Sequence, residues 1–141
     1  MKRLFIDTNV LVDFLEKRHP FFNEIAKISS LAEDNQFKLV ASSISFVNVF
    51  YILSKKIDKT LVLESLKKYR ILCEVSAIDE LVIDKSLFSN FSDFEDAVQY
   101  YSAINAKCDI LITRNEKDFK NSEIPVMSPK EFLISFVKIK F

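Results

Sequence analysis

The chain has 141 residues, a length that suits one domain, and its 20 basic and 20 acidic side chains cancel. This balance gives no overall attraction to nucleic acid or to an anionic membrane. Glycine is absent and histidine occurs once, which excludes glycine-rich phosphate loops, His-based triads and most zinc sites. Any catalysis must therefore use carboxylates, amides and hydroxyls.

Short apolar runs alternate with longer helical patterns along the chain. In chain order the predicted elements are strand 4–6, helix 10–15, helix 21–35, strand 38–42, helix 46–53 capped by Ser43 or Ser45, helix 60–66, strand 71–75, helix 79–88, helix 93–106, strand 109–113, a short strand around Val126 and a helix from Pro129. Strands separated by helices are parallel, because only a crossover connects them. We therefore expect one α/β domain over residues 1–141, a three-layer α/β/α sandwich with a parallel sheet of four or five strands.

The sequence also indicates the cellular compartment. No apolar run reaches the length of about 18 residues that a transmembrane helix requires. Asp7 interrupts the first apolar residues before a signal-peptide core could form. Cys73 and Cys108 lie in apolar stretches without CxxC spacing, which favours buried, reduced thiols. We expect a cytoplasmic protein that does not enter a membrane.

Polar residues follow two of the predicted strands and open one predicted helix. Asp7 follows the first strand, Asn115 and Asp118 follow strand 109–113, and Asp93 and Asp96 lie in the first turn of helix 93–106. Each has a structural explanation by itself, as a helix cap, a turn residue or a partner of the helix dipole. Ser92 and Glu95 also have the spacing of a capping box. The apolar periodicity does not decide between Asp93 and Asp96.

Ligands of parallel sheets bind beyond the carboxyl ends of the strands, where these acids would converge. Carboxylates that close together repel one another unless a hard divalent cation neutralises them. Mg²⁺ or Mn²⁺ held in this way activates water and stabilises charge during phosphodiester hydrolysis. The pattern therefore predicts a metal-dependent hydrolase.

Three segments resemble the PIN domain family, and within it the small VapC-like toxin ribonucleases. They are Phe5-Ile6-Asp7-Thr8-Asn9-Val10-Leu11, Asp93-Phe94-Glu95-Asp96-Ala97 and Ile112-Thr113-Arg114-Asn115-Glu116-Lys117-Asp118-Phe119. The closing Ser128-Pro129-Lys130-Glu131-Phe132-Leu133 is also similar. Order and spacing agree over essentially the whole chain.

The resemblance implies a metal-dependent endoribonuclease with a quartet of acids. It assigns Asp7, Asp96 and Asp118 to the metal, Asn48 and Asn115 to the remaining catalytic positions, and Thr8, Ser43, Thr113 and Arg114 to substrate contacts. Asn48 stands where the family carries a glutamate, and Asn115 where it usually carries an acid. These two amides predict weaker metal binding and reduced activity.

The resemblance further implies an RNA substrate, a small antitoxin partner and a homodimer. Two other functions remain open from the sequence. A PIN-like module that has lost catalysis and binds RNA or a protein is favoured by Asn48 and Asn115. A phosphotransfer enzyme with Asp7 as nucleophile is disfavoured, because such enzymes usually carry a second acid where this chain has Asn9.

Overall fold

The computed structural model describes residues 1–140; residue 141 of the predicted domain lies outside them. The strands are β1 (Arg3–Ile6), β2 (Lys38–Ser42), β3 (Cys73–Ser76), β4 (Ile110–Ile112) and β5 (Val126–Met127). The α-helices are α1 (Thr8–Leu15), α2 (Phe22–Glu33), α3 (Ser43–Leu53), α4 (Lys59–Leu72), α5 (Glu80–Leu87), α6 (Phe94–Asn105) and α7 (Pro129–Lys140). One turn of 3-10 helix spans Glu116–Phe119.

The strands form one five-stranded sheet in the order β3-β2-β1-β4-β5. Every neighbouring pair is parallel, and Phe5 in the central strand pairs with Val40 on one side and Leu111 on the other. Each return to a parallel strand requires a crossover, which the intervening helices supply in most cases. The predicted three-layer sandwich is confirmed, with five strands.

Alternating side chains of β1 fill two separate cores. Leu4 and Ile6 face a core that contains residues of α1, α2, α3, α4 and α7. Phe5 faces the opposite core, which includes Tyr100 and Ala103 of α6. These three side chains of β1 are fully buried, so both faces of the sheet are covered, as the apolar runs predicted.

The prediction was wrong at the boundary between α4 and β3. Helix α4 continues to Leu72, and β3 begins at Cys73 instead of residue 71. Val62, Leu66 and Tyr69 are buried at spacings of four and three residues, which keeps one helical face against the core. Ile71 lies on the opposite face with 89% of its surface exposed, so its apolar character did not mark a strand.

None of the described helices combines the length and the apolar character needed to cross a membrane.

Candidate active site

The site lies where the order of the strands reverses. From β1 the chain first adds β2 and β3 on one side and later adds β4 and β5 on the other. Such a switch leaves a crevice at the carboxyl ends of the strands. Asp7 directly follows β1, and Thr113 directly follows β4. The Asp7 N–H donates to the Ile112 carbonyl at 3.0 Å and joins the two strand ends.

Asp7 is both the N-cap of α1 and a buried acid. Its Oδ1 accepts hydrogen bonds from the Thr8 N–H at 2.9 Å and from Gln99 Nε2 at 3.1 Å, while Oδ2 accepts one from Thr113 Oγ1 at 2.8 Å. Only 7% of the residue is exposed. Burial raises the pKa of Asp7, the three donors oppose that rise, and the charge of Asp118 adds to it. Its role as a helix cap therefore does not depend on solvent exposure, and its chemical role stays a prediction.

A cleft of about 430 Å³ opens beside Asp7. Its lining contains predicted site residues from three separate segments of the chain, namely Asp7, Thr8, Asp96, Asn115 and Asp118. Asp93 and Glu95 also line it. The chain thus brings Asp7, Asp96 and Asp118, the three acids assigned to a metal, to one cleft.

The pKa of Asp96 responds to burial and to the negative charges around it. This pKa is raised to about 7, first by burial and then by the charges of Asp93, Asp7, Asp118 and Glu95. Asp93 is the N-cap of α6, and its Oδ1 accepts from the Asp96 N–H at 3.0 Å. The capping function therefore belongs to Asp93, not to Ser92.

Asn115 and Thr113 shape the loop beneath the cleft. The Asn115 N–H donates to Thr113 Oγ1 at 3.1 Å, and the Asn115 carbonyl accepts from the Asp118 N–H at 3.0 Å. These bonds form a local turn, which the sequence also allowed. The turn places Asn115 and Asp118 at the cleft and leaves the Thr113 hydroxyl on Asp7.

The sequence interpretation missed Gln99, a buried residue of α6 with 1% of its surface exposed. Gln99 Nε2 lies 3.1 Å from Asp7 Oδ1, 3.1 Å from Thr8 Oγ1 and 2.9 Å from Ser45 Oγ. Gln99 Oε1 accepts a short hydrogen bond from Ser42 Oγ. Its signal in the sequence was an amide on the buried side of a helix, one turn after Asp96.

Asn48 is not among the residues that line the cleft, but it contacts one that is. Its Nδ2 donates to Glu95 Oε1 at 3.0 Å, which joins α3 to the first turn of α6. Glu95 lines the cleft. Asn48 therefore reaches the site through a carboxylate that the resemblance did not assign.

Two predicted substrate contacts lie elsewhere. The Arg114 guanidinium donates to both carboxylate oxygens of Asp13 and lies 4.2 Å from the centre of the Phe21 ring. Its side chain packs between α1 and the start of α2. Ser43 is not part of the cleft lining. The serine hydroxyls that form hydrogen bonds with Gln99 are those of Ser42, which caps α3, and of Ser45.

Comparison with known proteins agrees with this geometry. The sequence model of the PIN domain matches residues 3–117, which is most of the chain. The chain belongs to the PIN domain family.

Relatives of this PIN domain extend over nearly the whole chain. Ribonuclease VapC1 of Aquifex aeolicus (strain VF5) is 29% identical over 136 residues, covering 93% of each chain. A toxin–antitoxin complex from Klebsiella pneumoniae has a chain with a TM-score of 0.66 and 24% identity, covering 89% of this chain and 97% of that one. A chain of the DNA-bound VapBC complex from Salmonella typhimurium has a TM-score of 0.69 and 16% identity, covering 92% of this chain and 99% of that one.

The donor chemistry of this PIN domain fits a hard divalent cation. Asp7, Asp96 and Asp118 offer carboxylate oxygens to one cleft, and the charges of Asp7 and Asp118 add to the effect of burial in raising the pKa of Asp96. Arg18 also lines the cleft, where its guanidinium is paired with Glu16. Within residues 1–140, no three acidic, histidine or cysteine side chains already stand close enough to hold an ion. Asp118 is exposed, and its side chain is therefore free of packing constraints that would fix it in the cleft.

Proposed function

We propose that this PIN domain is a metal-dependent endoribonuclease that hydrolyses RNA phosphodiester bonds. The observation that carries the proposal is the buried Asp7 at the strand switch, facing a cleft that Asp96 and Asp118 share. A phosphodiester cannot approach this many carboxylates unless a cation neutralises them. The relative named Ribonuclease VapC1 supports RNA as the substrate.

Asp7, Asp96 and Asp118 would hold the cation, Mg²⁺ or Mn²⁺. The bound cation supplies an activated water and neutralises charge on the phosphate oxygens. Thr113 and the Thr8 N–H hold the Asp7 carboxylate in place. Thr8 and Asn115, which also line the cleft, offer a hydroxyl and an amide to the substrate. Asn48 holds Glu95 at the entrance by their hydrogen bond.

The test is cleavage of a panel of RNAs by wild-type protein and by Asp7→Asn purified in parallel. We expect wild-type cleavage that requires Mn²⁺ or Mg²⁺, stops in EDTA and is absent from Asp7→Asn. The parallel variant measures contaminating nuclease directly. Equal cleavage by both proteins would refute the proposed site.

A second candidate is a PIN module that binds RNA or a protein partner without cleaving it. The two amides at Asn48 and Asn115 favour this candidate, because they contribute no charge to a cation. The same assay separates the two functions. RNA binding in a gel-shift assay without cleavage in Mn²⁺ would support the binding module.

We further propose that the chain is the toxin of a type II toxin–antitoxin pair. The similar structures from Klebsiella pneumoniae and Salmonella typhimurium are toxin–antitoxin assemblies, which supports a small antitoxin as partner. Helix α3 presents exposed apolar side chains at Val47 and Tyr51, and its Ile52 lines the cleft. A partner that covered this face would also cover the site.

Expression in cells tests the toxin function. We expect growth arrest with the wild-type chain, none with Asp7→Asn, and rescue by the product of a short open reading frame next to the gene. Analytical ultracentrifugation of the purified chain tests the proposed homodimer. Normal growth at full expression of the wild-type chain would contradict a toxin.

A further inference from the structure

We infer that Gln99 is a positioning residue that fixes the Asp7 carboxylate so that its Oδ2 is the oxygen presented to the cation. The inference rests on the proposed function and deepens it by naming the residue that orients the first ligand. Gln99 does not line the cleft and acts through Asp7.

The lone pairs of Asp7 determine which oxygen is available. A carboxylate oxygen has about two lone pairs for donors. Oδ1 accepts from two N–H groups, those of Thr8 and Gln99. Among the described residues, Thr113 is the donor to Oδ2. One lone pair of Oδ2 therefore remains for a cation, whereas Oδ1 is fully engaged.

The orientation of the Gln99 amide follows from its partners. An ionised Asp7 can only accept hydrogen bonds, so the NH₂ end of Gln99 must face it. The hydroxyl of Ser42 then donates to Gln99 Oε1 on the far side. An inverted amide would bring Oε1 against the Asp7 carboxylate. The Ser42 cap of α3 and the Asp7 cap of α1 thus hold one amide in one orientation.

The hydrogen-bond partners of Gln99 are concentrated around the candidate ligand. Gln99 is buried on α6, so its amide needs partners within the protein. A buried amide stabilises a fold only when its partners are all satisfied. Here they are satisfied by residues that surround the candidate ligand, namely Asp7, Thr8, Ser42 and Ser45.

The same helix provides a matched control. Ser102, one turn after Gln99, is fully buried and contacts Ser76 Oγ at 2.6 Å. It also donates to the Ala77 carbonyl at 3.0 Å. Ser102→Ala therefore removes a buried polar contact of α6 that does not touch the cleft. Both Ser102→Ala and Gln99→Met should lower the melting temperature.

The experiment is calorimetric titration of Mn²⁺ into wild type, Gln99→Met and Ser102→Ala. Because groups that orient a metal ligand typically contribute 10-fold to 100-fold in affinity, we expect Gln99→Met to weaken Mn²⁺ binding by at least about 10-fold. Ser102→Ala should keep wild-type affinity. In RNA cleavage, kcat of Gln99→Met should fall while KM stays near wild type. Wild-type Mn²⁺ affinity in Gln99→Met, or an equal loss in Ser102→Ala, would overturn the inference.

Two further measurements cover the remaining outcomes. If Gln99→Met does not fold, Gln99→Asn replaces it, since it keeps an amide but its side chain is one methylene shorter and draws the donor away from Asp7; wild-type Mn²⁺ affinity there would overturn the inference. A metal-free crystal structure of the folded variant should show the Asp7 carboxylate rotated away from its wild-type position, and an unchanged carboxylate would also overturn it. If wild type itself neither bound Mn²⁺ nor cleaved RNA, the proposed function would fail. The metal-free structure of the variant would then still test whether Gln99 fixes the orientation of the Asp7 carboxylate.

Discussion

Asp7 is both the cap of α1 and a buried acid at the end of β1. Burial raises its pKa, so its ionised form costs folding free energy that three hydrogen bonds partly offset. Asp7→Asn removes the buried charge and keeps an acceptor for the α1 cap. We expect the free energy of unfolding of the metal-free protein to change by no more than about 1 kcal/mol, measured by urea denaturation in EDTA. Mn²⁺ binding and cleavage should be abolished. A loss of several kcal/mol with cleavage retained would leave Asp7 as a cap only.

Asp96 makes the metal-free protein sensitive to pH. Its pKa in the folded chain is about 7, above the ordinary value of 3.8. Between these values the folded state binds more protons than the unfolded state, so stability falls as pH rises through this window. Urea denaturation in EDTA should give lower stability at pH 8 than at pH 5, and Asp96→Asn should reduce this difference. A difference of the same size in Asp96→Asn would show that other groups cause it.

At the scale of elements, Arg114 joins the end of β4 to α1. Its partner Asp13 is 1% exposed, and the guanidinium also covers Phe21. Arg114→Met would leave the buried Asp13 carboxylate without its ion-pair partner, which should cost roughly 2 to 4 kcal/mol of stability in urea denaturation. The folded fraction should cleave RNA normally, because this side chain points away from the cleft. A stable Arg114→Met protein with a raised KM would restore the substrate contact predicted from the sequence.

Asn48 and Glu95 form one of the hydrogen bonds between α3 and α6. Asn48→Glu would bring two carboxylates together and destabilise the metal-free protein by up to about 1 kcal/mol, since the pair is exposed. With Mn²⁺ present the added carboxylate should tighten binding, as calorimetric titration would show. The double variant Asn48→Glu/Glu95→Gln should regain the lost stability. Unchanged stability and Mn²⁺ affinity in Asn48→Glu would mean that residue 48 does not face the metal site.

The sequence predicted the elements well where one pattern dominates. Uninterrupted apolar strands and the acids that follow them located the sheet, Asp7 and Asp118. Periodicity could not choose between Asp93 and Asp96, because each suits a helix start. The resemblance to the PIN family chose Asp96, whereas the cap geometry is visible only in the structure.

At the scale of the whole molecule, the contacts that join distant segments could not be predicted from the sequence. Gln99 lies 92 residues from Asp7, and Arg114 lies 101 residues from Asp13. A buried glutamine or a paired arginine has no periodic signal, because its partner is selected by the strand order β3-β2-β1-β4-β5. That order brings the ends of β1 and β4 together and so assembles the cleft.

Anomalous diffraction from crystals soaked in Mn²⁺ tests the central claim most directly. We expect one peak in the cleft, at a coordination distance from Asp7 Oδ2 and from a carboxylate oxygen of Asp96 or Asp118. Crystals of Asp7→Asn, soaked in the same way, should lack that peak. A cleft without Mn²⁺ in wild-type crystals, together with RNA cleavage by the same preparation, would contradict the account.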